Sequence, residues 1–473
     1  MKQHFYFVVG LSLVLAACAD DPAQPVLRGP QFNESGVGEA YLVRFENRIV
    51  PADFNARVAA LGGEVIFAHG GAGVGAVSGL IASAAEQLGA SYGIAGIEQD
   101  AFTVLESALD ADAETGGEPA SASNPAASIW YARQWNMHAI AAAQAWAAGK
   151  LGSPSVKVGI LDTGIDYLHA DLAGRVDLAL SRSFLSASEN ARVQAAFPGA
   201  HPIADLNYHG THVASTVVSN GILTAGVTSG VTLVGLKVCA PGTPANGWRG
   251  TCPTSGTLAA VLYAADNGIP IINLSLGGAF NRRDASAAGG IGPSFLAIIN
   301  QVFTYANSKG TQVVVSAGNS AFDLDHDGNG YKTYCSTPNT ICVSATGPTF
   351  TPTVNGPFTN PDALASYSNY GRSSITVAAP GGNYIGVTAS CSGFSLAIPA
   401  CQDRSFLWGV RISGTSMAAP HVSGVAALIA SEGITGPGNI RERLQDTADD
   451  LGQSGTDPAY GKGRINAARA VGL

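Results

Sequence analysis

From residue 128 to the C-terminus, short apolar runs recur at intervals that leave room for one helix between neighbours. Val156 to Leu161, Val231 to Val238, Ile269 to Leu274, Gln312 to Val315, Ile341 to Ala345 and Ile375 to Ala379 are dominated by Val, Ile, Leu and Ala. A strand without a polar face must be covered on both sides, and a parallel sheet flanked by helices provides that cover. Helical patterns fall between the runs, at 211–219, 255–267, 295–309 and 417–430, with Gly268 and Gly310 standing as C-terminal stops. The expected fold is therefore α/β, a doubly wound and mostly parallel sheet over 128–473. Its binding site should lie at the carboxyl ends of the strands.

A second, smaller unit precedes it over residues 38–103. Tyr41 to Phe45 is strand-like, and Asp53 is placed to cap a helix bearing Phe54, Val58 and Leu61 before Gly62-Gly63. Strand candidates follow at Glu64 to Ala68 and Ala76 to Leu80. Ser83-Ala84-Ala85-Glu86 has the pattern of a capping box, and Ile94 to Glu98 reads as a last strand. The order β-α-β-β-α-β predicts a small ferredoxin-like α+β domain. Between the two units, residues 104–127 are rich in Ala, Ser, Gly and acidic side chains, the composition of an exposed and easily cut linker.

The N-terminus carries Lys2 and then an apolar run from Phe5 to Ala17, too short for a membrane span and ordered as an export signal over 1–18. Leu15-Ala16-Ala17-Cys18 resembles a bacterial lipobox, in which Cys18 becomes the lipidated first residue. Ala17-Cys18-Ala19 equally fits an ordinary cleavage site. Residues 19–37, with Pro, Gly and Gln, read as a flexible lead. Export to an oxidising compartment suits the remaining six cysteines, an even number. Fifteen pairings exist, and spacing favours Cys239–Cys252, Cys335–Cys342 and Cys391–Cys401. The net charge of −9 and the absence of a polybasic stretch argue against nucleic-acid binding.

Polar residues interrupt the strand and helix ends in three places. These are Gly159-Ile160-Leu161-Asp162-Thr163-Gly164, Asn207-Tyr208-His209-Gly210-Thr211-His212 and Gly414-Thr415-Ser416-Met417-Ala418-Ala419-Pro420-His421. A serine between a glycine turn and an apolar helix is by itself most simply a helix cap. A lone Asp after a strand is a turn residue, and a lone His is a structural one. Together, however, Asp162, His209 and Ser416 supply a hydroxyl, a base to take its proton and a carboxylate to orient that base.

These three motifs resemble those of subtilisin-type serine endopeptidases, whose Asp, His, Ser order they share. The resemblance spans 128–473 and ends in Tyr460-Gly461-Lys462-Gly463-Arg464-Ile465-Asn466-Ala467. Ser215 departs from the pattern, standing where the family has Gly. The resemblance implies that Asn319, in Ser316-Ala317-Gly318-Asn319, stabilises the oxyanion. It implies that Ser275, Leu276 and Gly277 pair with an extended substrate, with Gly250 and Thr251 forming the facing strand beside a Cys239–Cys252 bridge. Residues 38–103 are similar to the family's inhibitory propeptide, so the chain should be a zymogen that cuts its own linker.

The expected product is a secreted, monomeric endopeptidase acting on polypeptides, and the resemblance implies broad specificity with a preference for large apolar side chains. No cofactor is needed for the chemistry. Asp323, Asp325, Asp327 and Asn329 alternate as in a calcium loop, which suggests a structural Ca2+. A peptide-binding protein without activity would lack one of the three reactive residues, and an esterase of small substrates would not need the propeptide-like unit.

Overall fold

The computed structural model describes residues 39–105, 112–115, 124–281, 292–326, 328, 330–332 and 334–473. The signal-like segment 1–18 with Cys18, the lead 19–37, most of the linker, and Asp327 and Asn329 lie outside the described residues.

The N-terminal unit runs β1 (Glu39–Phe45), α1 (Phe54–Ala60), β2 (Glu64–His69), β3 (Val74–Leu80), α2 (Ala82–Gly89) and β4 (Ile94–Gln99). Its antiparallel sheet has the order β2-β3-β1-β4, the split βαβ arrangement expected. Val43, Phe45, Phe54, Val58, Val77 and Leu88 close its core. Both helix starts differ from the sequence reading. Asp53 precedes α1, but its carboxylate pairs with Arg57 at 2.7 Å instead of capping, because an exposed i,i+4 cation competes for it. α2 follows β3 directly from Ile81, so Ser83 is already inside the helix and no capping box forms.

Two short strands of the connecting region come next, β5 (Phe102–Val104) and β6 (Asp112–Thr115). The large domain then contains α3 (Trp135–Ala139), α4 (Ala142–Ala147), β7 (Lys157–Asp162), β8 (Arg182–Ser183), α5 (Ala187–Ala196), α6 (His209–Val217) and β9 (Thr232–Lys237). After these come β10 (Thr251–Pro253), α7 (Thr254–Asp266), β11 (Ile271–Leu274), β12 (Ala279–Asn281), α8 (Pro293–Ser308), β13 (Gln312–Ser316) and β14 (Gly330–Lys332). The chain closes with β15 (Thr340–Thr346), β16 (Val377–Pro380), β17 (Val387–Ser390), β18 (Trp408–Ile412), α9 (Thr415–Ser431), α10 (Pro437–Asp446) and α11 (Ala467–Ala470).

Seven strands form one parallel sheet in the order β16-β15-β13-β11-β7-β9-β8. The six expected apolar runs supply all but β8, a two-residue edge strand too short to show a pattern. β7, β11 and β13 are buried over nearly their full length, which is why they read as continuous apolar runs. α9 is buried almost all round, and Pro420 lies inside it at its sixth residue, beyond the first turn; the Ser416 carbonyl oxygen, four residues before Pro420, accepts the Ser275 hydroxyl at 2.7 Å. The antiparallel pair β17–β18 was not foreseen, since Trp408-Gly409-Val410-Arg411 mixes apolar, small and charged residues.

The N-terminal unit docks on the starts of two large-domain helices. Glu98 Oε1 accepts the Ser294 N–H at 3.0 Å in the first turn of α8. Asp100 accepts the Ser255 N–H at 3.1 Å, together with the Ser255 hydroxyl, at the start of α7. Carboxylates are favoured there by the helix dipoles and unpaired amides. At the other end of α7, Asp266 takes His69 at 3.0 Å and the Tyr305 hydroxyl at 2.6 Å. Burial pushes Asp100 up from 3.8 to about 6 and raises Glu98 as well, outweighing their hydrogen bonds.

Raised carboxylate pKa values mean that docking takes up protons. Docking is therefore strongest below the ordinary carboxylate value and loosens as pH rises through about 6. The dissociation constant of a separately made N-terminal unit from the large domain should rise about tenfold or more between pH 4 and pH 7. Asp100→Asn should flatten that profile; an unchanged slope in this variant would remove Asp100 as its source.

Candidate active site

The site is assembled from the ends of three elements. Asp162 is the last residue of β7, His209 the first of α6 and Ser416 the second of α9. Asp162 is fully buried, and its Oδ1 accepts the Thr163 N–H at 2.7 Å and His209 Nδ1 at 2.8 Å. His209 is 5% exposed, and its backbone N–H is held by Asn207 Oδ1 at 3.2 Å. Burial opposes charging of the imidazole. The charge and hydrogen bond of Asp162, with the further charge of Asp205, outweigh it and raise the His209 pKa.

Ser416 is not a helix cap. α9 begins at Thr415, its N-cap residue is Gly414, and no side chain caps it. The Ser416 hydroxyl instead donates to the Ser275 carbonyl oxygen at 3.2 Å, while the Ser275 hydroxyl donates to the Ser416 carbonyl oxygen at 2.7 Å. Among the described residues no hydrogen bond joins Ser416 to His209. Such contacts commonly tighten only when substrate is in place.

Asn319 follows β13, and its Oδ1 accepts from both the N–H and the hydroxyl of Thr415, each at 2.8 Å. Thr415 Oγ1 in turn accepts the Gly318 N–H at 2.9 Å. This network fixes the amide's carbonyl end, so its NH2 end is the one that donates. The Ser416 N–H lies in the first turn of α9, where no helical carbonyl can reach it. Two donors of different origin thus flank the serine.

A cleft runs past these groups, lined by 275–278, 316–319, Thr415, Ser416 and, from the chain's own N-terminal side, Val104. β5 pairs antiparallel with β10, setting Val104 opposite Thr251. The Leu105 N–H donates to the Gly250 carbonyl at 2.9 Å, and a Cβ on Gly250 would stand 2.6 Å from the Leu105 side chain. Cys239 and Cys252 are bridged behind this strand with Cα atoms 4.1 Å apart. Cys335–Cys342 and Cys391–Cys401 are also bridged.

The neighbouring polar residues have structural work. Asp166 accepts from Leu168 N–H, Gly393 N–H and Arg404. Asp171 gathers the N–H groups of Ile222, Leu223 and Thr224 and two hydroxyls. His169 bonds the Trp408 carbonyl, His212 the Val387 carbonyl and His421 the Met417 carbonyl. Burial pushes His212 down to about 3 and His421 down to about 4, which keeps both neutral. The unusual Ser215 is used as well: its hydroxyl donates to His212 O and accepts the Ser390 N–H at 3.0 Å, tying α6 to β17.

Of the four residues expected to hold calcium, Asp323 and Asp325 are described and Asp327 and Asn329 are not. Both oxygens of Asp325 already accept from Ser373 and Ser374, and Asp323 accepts from the Asp325 N–H and His326. No group of three metal-binding side chains forms among the described residues.

Two buried charged residues beside the dyad escaped the sequence reading. Asp205 binds the N–H and hydroxyl of Thr211 at the start of α6, and burial raises its pKa. Lys237 at the end of β9 donates to Ala204 O at 2.7 Å, and burial pushes it down to about 8. A lysine inside an apolar strand was the signal available for it.

With this geometry in view, comparison with known proteins is informative. Residues 153–463 match the family described as the subtilase family. Thermitase of Thermoactinomyces vulgaris is 33% identical over 342 residues, covering 72% of this chain and 96% of thermitase. Subtilisin Savinase of Lederbergia lenta is 31% identical, covering 71% and 98%. Among solved structures, the epidermin leader peptide processing serine protease of Staphylococcus aureus superposes with a TM-score of 0.68 at 20% identity, covering 92% of this chain and 98% of that one. Fervidolysin of Fervidobacterium pennivorans superposes with a TM-score of 0.66 at 21% identity, covering 94% and 62%.

A base whose pKa is raised must be deprotonated to act, so kcat/KM for peptide hydrolysis should fall as pH drops through a value above 6.5. Asp162→Asn should lower turnover by about 10⁴ and move the acid limb of the remaining activity to lower pH. An acid limb that stays in place in that variant would mean that Asp162 does not set the charge state of His209.

Proposed function

The chain belongs to the subtilase family and is a serine endopeptidase, and from that premise we propose that Asp162, His209, Ser416 and Asn319 carry its chemistry in an exported, self-processing zymogen. The observation that carries this reading is the buried Asp162–His209 hydrogen bond beside a cleft that contains Ser416 and Asn319.

In the reaction, His209 Nε2 takes the Ser416 hydroxyl proton as Oγ attacks the scissile carbonyl carbon. Asp162 holds the ring by Nδ1 and stabilises the imidazolium. The carbonyl oxygen, now negative, is met by Asn319 Nδ2 and the Ser416 N–H at the positive end of α9. His209 returns the proton to the leaving amine, and an acyl-enzyme remains. Water, deprotonated by the same His209, then releases the acid and restores Ser416. These side chains supply nucleophile, base and oxyanion donors, so the chemistry calls for no cofactor.

Residues 38–103 are the inhibitory propeptide in this reading, and 128–473 the catalytic domain. Support comes from β5, which lies on β10 as a substrate strand would and brings Val104 into the Ser416 cleft. The self-cleaved bond then lies in the linker beyond Leu105. Residues 1–18 direct export, and a lipid on Cys18 would tether the precursor, so that cleavage of the linker also releases a monomeric enzyme. No helix among the described residues is long and apolar enough to cross a membrane.

Intact-mass and N-terminal analysis of the wild type beside Ser416→Ala tests this reading. The wild type should lose roughly its first hundred-odd residues, as the inhibitory unit and part of the linker are shed, while the variant stays full length. Both remaining uncut under folding conditions would overturn self-processing. Asn319→Ala should lower kcat by about 10²–10³ with KM little changed; a change confined to KM would deny it the oxyanion role. Cell fractionation should hold the Ser416→Ala catalytic domain with the membrane and release that of the wild type. Equal retention of both would refute release by cleavage.

A further inference from the structure

β18 ends at Ile412 and leads straight into the start of α9, where Ser416 lies. One edge of β18 is paired with β17. The other is covered by β6, a piece of the chain's own linker. Pairing is antiparallel, with Asp112 opposite Arg411 and Thr115 opposite Trp408. β6 therefore starts at the end of β18 nearer the nucleophile and runs away from it. On the other side of Ser416, β5 lies against β10, and Val104 enters the cleft. The same chain thus enters along β10 and leaves along β18.

Charge follows the same division. Arg411 stands on β18, and Arg133 is close enough that, after burial, the Arg411 charge is the further cause of its lowered pKa. The segment that covers this edge is acidic in sequence: between 106 and 123 stand Glu106, Asp110, Asp112, Glu114 and Glu118, with no Lys or Arg. Main-chain pairing along a sheet edge accepts many sequences, and charges beside it select among them.

We propose that the edge of β18 from Trp408 to Ile412 is a strand-accepting subsite for the polypeptide on the leaving-group side of the scissile bond, and that Arg411, with Arg133 beside it, makes this subsite favour acidic segments. This rests on Ser416 being the nucleophile and the linker being the first bond cut. The subsite lengthens the substrate footprint well beyond the catalytic groups. Its first occupant is the linker itself, which keeps an exposed strand edge covered. The portion of linker beyond the cut stays joined to the large domain through Asn124, so the enzyme's own acidic arm competes with substrate for the edge.

Three peptides test the proposal on the mature enzyme obtained from the full chain. All carry residues 98–111 of this chain. One continues with the native acidic residues 112–118, one has every Asp and Glu of that arm replaced by Lys, and one stops at 111. Wild type should cleave the acidic peptide about threefold to tenfold faster in kcat/KM than the Lys peptide, through KM. Arg411→Glu should reverse that preference, and Arg411→Gln should abolish it. Both variants should cleave the short peptide at the wild-type rate, which shows an intact fold and chemistry. An acidic preference that persists in both variants, or none in the wild type, overturns the subsite. Failure of the wild type to cleave any of the three in a Ser416-dependent way overturns the catalytic reading, and the subsite with it.

Discussion

Taking the Asp162 carboxylate out of water at the end of a central strand costs several kcal/mol unless donors surround it. The fold provides them on Oδ1: the Thr163 N–H from the turn that follows β7, and the His209 imidazole from the start of α6, while Oδ2 has no hydrogen-bond partner among the described residues. The condition that makes Asp162 tolerable also fixes which nitrogen of His209 faces the cleft. Asn207, Thr211 and Asp205 then hold the first turn of α6, and Lys237 places a buried positive charge under the same group. The acid–base pair is thus the visible end of a buried polar network, and each member depends on the others being satisfied.

The opposite wall is built on different terms. β11 and β13 deliver Ser275 and Asn319 from their carboxyl ends, and Thr415 locks Asn319 against the start of α9 by three hydrogen bonds shared with Gly318. Ser416 is left in a polar frame whose main-chain partner at rest is the Ser275 carbonyl. The cleft between the walls lies at the carboxyl ends of parallel strands, where an open α/β sheet leaves a crevice. The N-terminal unit uses the same property of helix ends when Glu98 and Asp100 settle on α8 and α7. That docking is accompanied by β5 lying on β10 with Val104 lining the cleft, so the unit's contact surface reaches the cleft wall.

Local chemistry was legible in the sequence wherever a single element carries the signal. Continuous apolar runs disclosed β7, β9, β11, β13, β15 and β16, because burial on both faces leaves no polar period. The motifs around Asp162, His209 and Ser416 were visible because reactive side chains stood among glycines at element ends. Features that depend on two distant segments were not. Lys237 is one polar residue in an apolar strand, and its partner at Ala204 is thirty-three positions away. The capping box at Ser83 failed because β3 runs directly into α2, which moves the helix start upstream. The alternating oxygens at Asp323 and Asp325 suggested a cation; that Ser373 and Ser374, folded over from another loop, donate to Asp325 could not be read from that run.

By itself, then, the sequence determined the six elements of the N-terminal unit, six strands of the parallel sheet, the helices α6 to α9 and the residue types that can react, since periodicity and side-chain chemistry are local properties. Only the tertiary structure decided which end of Asn319 donates, where Ser416 rests and how the His209 pKa moves. It alone decided that the chain's own β5 and β6 lie along β10 and β18. Each of these turns on contacts between segments far apart in the chain, whose free energies depend on burial and on competing partners that no stretch of sequence contains.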